Sequence, residues 1–181
     1  MSDLIKTISC YPHFEELKAE VLKIIQDVNE PFPEWGKQAI SLQYRDESNT
    51  EWNNSIGDYN KLNHMKPSME QEFTQLQPWL AGSEIEKLFN SIDLKIFRAR
   101  IMLMAPNVKY STHFDPTPRV HIPIVTDEKC RFIFPDISPE YADYMPANGS
   151  VYWVNTKKMH TFVNDSDIIR IHIVAVVNDI L

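Results

Sequence analysis

Glycine is scarce in this chain, with four residues in 181. Neither GxGxxG nor GxxxxGKS/T occurs, which excludes a glycine-rich phosphate cradle. Cysteine is rarer still. Cys10 and Cys130 lie far apart, form no CxxC pair and suggest no disulfide framework. Basic charge is in deficit, with 18 Lys and Arg against 25 Asp and Glu and a net charge of −7. A general nucleic-acid or anionic-membrane surface is therefore not expected, although a local basic pocket fits that balance. No apolar run reaches the length of a membrane span, and the opening MSDLIKTISC lacks the apolar core of a signal peptide. The expectation is a cytoplasmic, reducing setting. What the chain does hold is 12 prolines and an ordinary hydrophobic fraction of 43%. Its length suffices to bury a core without staples, and no linker, repeat or low-complexity stretch divides it. A single domain over residues 1–181 is predicted.

Phe14, Leu17, Val21, Ile25 and Val28 recur at three- and four-residue steps, with Pro12 ahead of them and Glu15 and Glu16 in the first turn. They predict an amphipathic helix that Pro31 and Pro33 end. Ile40, Leu42 and Tyr44 alternate with polar residues, as a strand does. Residues 45–66 are polar and turn-rich and read as a long loop, equally a lid or a surface excursion. Ser68 with Gln71, and Ser83 with Glu86, form capping-box patterns that open two short helices. From Leu94 the period becomes two, with Phe97, Ala99, Ile101 and Leu103 on one face and Arg98 and Arg100 on the other. Strands are predicted near 94–104, 108–115, 119–125, 130–134, 150–154, 159–163 and 168–177. The expected fold is mainly β with N-terminal helices. Residues 1–93 supply mostly helical support and loop. Residues 94–181 form the core of a double-stranded β-helix, a cupin-like jelly-roll barrel.

The candidate chemistry lies in that second half. His113 and Asp115 are spaced i, i+2, so on a strand both point the same way. With His160 brought back from a distant strand they make two imidazoles and one carboxylate. That donor set holds ferrous iron on one face and leaves the other positions open. Alone, an HxD pair is a weak signal. The last strand adds to it, because IIRIHIVAVV has two buried-looking faces and one carries Arg170 and His172. A buried arginine without an anion costs several kcal/mol, on the order of the penalty for any unpaired buried ion. Arg170 is expected to meet a carboxylate, of a ligand or of the protein. Arg119 and His121, also i, i+2, share a face. His172 reads best as a hydrogen-bonded core histidine, and the four tryptophans as core.

The segments RARIMLMAPNVKYSTHFD, RVHIPI, NGSVYWVNTKKMHTFVNDS and IIRIHIVAVV resemble the 2-oxoglutarate/Fe(II) oxygenases. Within them they resemble the aspartyl/asparaginyl β-hydroxylase branch, which includes bacterial proline hydroxylase-like enzymes. The resemblance covers residues 98–177. It implies that His113, Asp115 and His160 bind Fe(II), that Arg170 clamps the distal carboxylate of 2-oxoglutarate, and that Arg119 and His121 lie on the cosubstrate side. O2 is the second cosubstrate and succinate the co-product. The animal members lack the carboxylate that Asp115 supplies here, so the chain looks closer to the bacterial amino-acid hydroxylases.

The expected function is hydroxylation of an amino acid or of an Asp- or Asn-type side chain. The expected partner is a small-molecule amino acid or a peptide, with neither nucleic acid nor membrane. Excess arginine near the metal motif (Arg98, Arg100 and Arg119) predicts a substrate that carries a carboxylate. Arg98 and Arg100 projecting into solvent is an equal alternative. A non-catalytic metal- or ligand-binding cupin-like barrel is the other function class, and a zinc hydrolase using HxD is a third.

Overall fold

A computed structural model of the chain describes residues 4–29, 36–45, 67–137 and 142–178. The chain is a jelly roll of two antiparallel sheets with helices against one face. The larger sheet is built from β1 (Ile5–Cys10), β2 (Lys37–Ser41), β5 (Ile96–Met104), β7 (Arg119–Val125), β10 (Ser150–Val154) and β12 (Arg170–Val177). Their order is β1-β10-β7-β12-β5-β2. The smaller sheet holds β6 (Val108–Lys109), β8 (Cys130–Ile133), β9 (Ala142–Tyr144) and β11 (Thr161–Asn164) in the order β6-β11-β8-β9. A separate pair joins β3 (Gln43–Tyr44) to β4 (Gln75–Leu76).

The alternation of β12 assigns each residue to a layer. Ile171, Ile173, Ala175 and Val177 pack outward with Phe14, Leu17 and Val21 of α1 (Phe14–Val28) and Ile85 and Leu88 of α2 (Glu84–Ser91). Each such aliphatic side chain contributes roughly 1.5–3 kcal/mol when fully buried. The opposite face of the sheet looks into the barrel. There Met104 and Tyr152 meet Phe132 and Phe162 from the smaller sheet and Phe134 just beyond β8. Arg170 and His172 belong to this inner layer, among aromatic rings.

Several local expectations change. β1 comes from the stretch predicted to be helical support and loop, and the strand predicted from Ile40 to Tyr44 is found as two, β2 and β3, parted at Leu42. β1 was not predicted because its register with β10 slips between Thr7 and Ser9, which destroys a period of two. In β5 the backbone of Arg98 has φ 49°, and the register with β12 shifts between Val174 and Val176. The bulge moves the phase by one residue, so Ile96 rather than Phe97 joins the outer core.

Ser83 caps α2 as predicted, its hydroxyl accepting from Glu86 N at 3.0 Å, but the Glu86 carboxylate accepts from Gly82 N at 2.6 Å instead of from Ser83. Residues Pro67–Glu72 form a 3-10 helix, and the Gln71 amide donates to Asn178 at 2.8 Å, while the Ser68 side chain of the expected box lies outside what the structure describes. The expected terminators Pro31 and Pro33 lie outside the described residues, as does the 45–66 loop beyond Arg45.

Candidate metal centre

The predicted strand 108–115 ends at Lys109, and His113 is held instead by an isolated bridge to His160. Pro116 and Pro118 lack the N–H groups that a longer ladder needs. The bridge is a reciprocal backbone pair, His113 N to His160 O at 2.9 Å and His160 N to His113 O at 2.8 Å. It sets the two rings 4.4 Å apart. Asp115 N donates to Thr156 O at 2.8 Å, and the Thr156 hydroxyl donates to Thr117 O at 2.8 Å, pinning the turn. One donor atom from each of His113, Asp115 and His160 lies within 4.8 Å of the others.

Both imidazoles are arranged as ligands. His113 Nδ1 donates to Ser111 O at 2.7 Å and His160 Nδ1 donates to Lys158 O at 2.9 Å. Those bonds place the proton on Nδ1 and free Nε2 for a metal, the usual support for a ligating histidine. Burial holds His160 below its ordinary pKa, so it is neutral when a cation arrives. Asp115 Oδ1 meets Arg119 Nη2 at 3.1 Å, which leaves Oδ2 3.9 Å from His160 Nε2. Two neutral imidazoles and an oriented carboxylate fit ferrous iron with open positions.

Arg119 does not stand free on the cosubstrate side. It forks onto Glu70, Nη1 to Oε2 and Nη2 to Oε1, both at 3.1 Å. Arg98 donates to Glu70 Oε1 at 2.6 Å, and the Thr117 hydroxyl donates to Oε2 at 3.0 Å. Glu70 is 1% exposed and Arg98 4%, so Arg98 meets a buried carboxylate of the protein and does not project into solvent to pair with a surface acid. Burial raises the Glu70 carboxyl, but Arg119 and Arg98 outweigh it and the net displacement is downward. Glu70 was not singled out in the sequence, where it sits in a polar stretch of no particular pattern. The only available signal was indirect, the need of nearby arginines for an anion.

Arg170 lies at the inner end of β12, 3% exposed, with its guanidinium 4.0 Å over the Phe162 ring. Its Nη2 donates to His172 Nδ1 at 2.5 Å, and its buried Nε has no hydrogen-bond partner among the described residues. Burial lowers its pKa to about 9, with no carboxylate among the groups that oppose the shift. A cation so placed fits an anion that enters the barrel. His121 is buried against the rings of Phe132 and His172, and burial pushes its pKa well below the usual value. Tyr110 is half-buried with its ring 6.2 Å from that of His113, and desolvation raises its pKa while the charges of Arg170 and Arg100 oppose the shift.

Two facing sheets with a His-Asp-His cluster able to hold a metal ion between strand ends make up a jelly-roll architecture. No family model matches this chain, and no curated protein matches it. Solved structures do. The viral collagen prolyl hydroxylase of Paramecium bursaria Chlorella virus-1, in its 2-oxoglutarate complex, aligns with a TM-score of 0.53 and 10% identity over 99% of this chain and 98% of that one. A prolyl-4-hydroxylase of Pseudomonas putida aligns at 0.51 with 13% identity, over 98% and 93%. The non-heme α-ketoglutarate-dependent epimerase SnoN of nogalamycin biosynthesis aligns at 0.52 with 13% identity, over 98% and 78%. At such identities the likeness is one of fold.

Proposed function

We propose that this chain is an Fe(II)- and 2-oxoglutarate-dependent dioxygenase of the aspartyl/asparaginyl β-hydroxylase branch, hydroxylating an amino acid or an Asp- or Asn-type side chain. The observation that carries the proposal is the convergence of His113, Asp115 and His160, with both Nδ1 atoms already engaged. The fold shared with 2-oxoglutarate oxygenases supports it.

In this reading His113, Asp115 and His160 hold the iron. Iron supplies the redox chemistry that couples decarboxylation of 2-oxoglutarate, with O2, to hydroxylation. The protein binds, orients and shields. Arg119 fixes the rotamer of Asp115 through the 3.1 Å contact. Arg170 takes the distal carboxylate of 2-oxoglutarate as a planar fork suited to it. His172 accepts from Arg170 and so orients that fork. Neutral His121 offers a polar atom on the cosubstrate side. Phe132, Phe134 and Phe162 keep the inner end apolar. The partner is a small amino acid or peptide, with neither nucleic acid nor membrane. No helix of the described residues is long and apolar enough to cross a membrane. A reducing, cytoplasmic setting accompanies the proposal, and Cys10 and Cys130 are free thiols.

Anaerobic addition of 2-oxoglutarate to the iron-loaded protein is expected to give the weak visible band of a chelated 2-oxo acid. Succinate release is then expected to rise with an amino acid or peptide from a panel. A protein that binds iron but shows neither the band nor succinate is a metal-binding barrel and not this enzyme.

A further inference from the structure

Arg100 is the one arginine near the site whose charge the foregoing account leaves unused. It lies on β5 between Ser41 of β2 and Val174 of β12, and Val174 in turn pairs with His121 of β7. Its outer-face neighbours Ala99 and Ile101 are packed under the helices, so Arg100 belongs to the barrel face. The residue is half-buried, and its Nε is buried without a hydrogen-bond partner. Among the described residues its side chain has no ion pair. Arg98 and Arg119 differ, because Glu70 binds both.

Among the described residues, four arginines, Arg98, Arg100, Arg119 and Arg170, face two carboxylates, Glu70 and Asp115. A ferrous dication and a 2-oxoglutarate dianion cancel one another. Filling the site with both therefore leaves the positive excess in place. If 2-oxoglutarate engages Arg170, Arg100 remains without an anion. Their registers place them well apart, Arg170 opposite Met104 and Arg100 opposite Val174. The row of Arg100 is that of His121, next to the residues that orient Asp115.

We infer that Arg100 is the specificity-determining residue that binds a carboxylate of the substrate. The inference rests on the proposed function for what fills the rest of the cavity. Burial lowers the Arg100 pKa to about 9, with Arg98 and Arg119 acting in the same direction and Glu70 opposing. An incoming carboxylate relieves all of those costs at once, and a neutral amide does not. An arginine kept for a ligand rather than for the fold also leaves a signature in the free protein. Its removal does not destabilise, because a half-buried charge without an ion-pair partner is removed with it.

The experiment compares parent, Arg100→Met and Arg100→Lys, each loaded with Fe(II) and 2-oxoglutarate without oxygen, at constant ionic strength. The visible band is recorded first. Thermal unfolding is then followed with sodium acetate, with acetamide, with glycine and with N-acetyl-aspartyl amide. In the parent, acetate at ten times its dissociation constant is expected to raise the midpoint by about 2–4 °C or more. Acetamide is expected to do nothing. Arg100→Met is expected to ignore acetate and, without ligand, to unfold at or above the parent temperature. Arg100→Lys keeps part of the response, having the charge without the fork.

Beside the acetate response, a response to glycine and not to N-acetyl-aspartyl amide makes the recognised group a free amino-acid carboxylate, and the reverse makes it an acidic side chain. An equal acetate response in parent and Arg100→Met, or none in the parent, overturns the inference even if the band is present. So does an Arg100→Met protein that is clearly destabilised when free of ligand. A missing band with an Arg100-dependent acetate response removes the proposed function and leaves the carboxylate site standing.

Discussion

Glu70 holds together the charge network behind the proposed metal ligands. It accepts from Arg98, Arg119 and Thr117 while almost wholly buried, and Arg119 passes that order on to Asp115. Removing one partner of a buried pair leaves the other charged and dry. Glu70→Gln is therefore expected to cost about 3–5 kcal/mol of stability, measured by urea unfolding. A loss below about 1 kcal/mol would place this network among weak surface pairs. The ligands behave differently. His113→Ala and His160→Ala are expected to lose ferrous binding by calorimetry and keep the parent circular dichroism, because their backbone bridge does not need the rings. Arg170→Ala is expected to leave metal affinity alone and weaken 2-oxoglutarate by about 2–5 kcal/mol, tens- to thousands-fold. Unchanged 2-oxoglutarate affinity in that variant would return Arg170 to a purely structural part.

Among the elements, the turn into β10 is the most constrained. Gly149 has φ 87°, and a Cβ there would lie 2.6 Å from Tyr11 O, the carbonyl end of a segment whose N–H bonds back to Gly149 O at 2.8 Å. Gly82 has φ 80° with open space around it. Gly149→Ala is expected to lose more than about 1 kcal/mol and clearly more than Gly82→Ala, which meets left-handed strain alone. Equal losses in urea would remove the close approach as a cause. Elements with clean periods were legible in the sequence. β7, β10 and β12 fall where alternation put them, and α1 where its stripe put it. β1, with a slipped register, and the three-residue β9 left no period to read. HxD and the distant His160 were legible because their chemistry is local. Glu70 was not, since its partners are 28 and 49 residues away and nothing in its own segment reports them.

At the scale of the whole molecule, a barrel lined with basic groups in an acidic protein should betray itself in stability against pH. His172 and His121 lie inside with pKa values pushed well below the ordinary one, chiefly by burial, then by Arg170. His160 is displaced in the same direction, again first by burial. These groups stay neutral when folded and take up protons when unfolded. Below the unfolded value of about 6.5 the unfolded chain binds more protons, so stability falls as pH falls. Above that value their effect is absent. Each histidine adds a slope of at most about 1.4 kcal/mol per pH unit. Glu70 acts lower down. Its folded pKa lies below the unfolded carboxylate value of about 4.3, so its contribution is complete above that and lost as pH falls through the folded value. Urea unfolding in the presence of a chelator is therefore expected to show stability declining from pH 6.5 towards 5, then a second decline below pH of about 4. His172→Gln keeps an acceptor for Arg170 but cannot titrate, so the first decline is expected to be shallower and the second unchanged. A flat profile from pH 7 to 5, or a His172→Gln slope equal to the parent's, would mean that these imidazoles reach water in the folded protein and that the barrel interior is not the dry, ligand-seeking cavity drawn from its arginines.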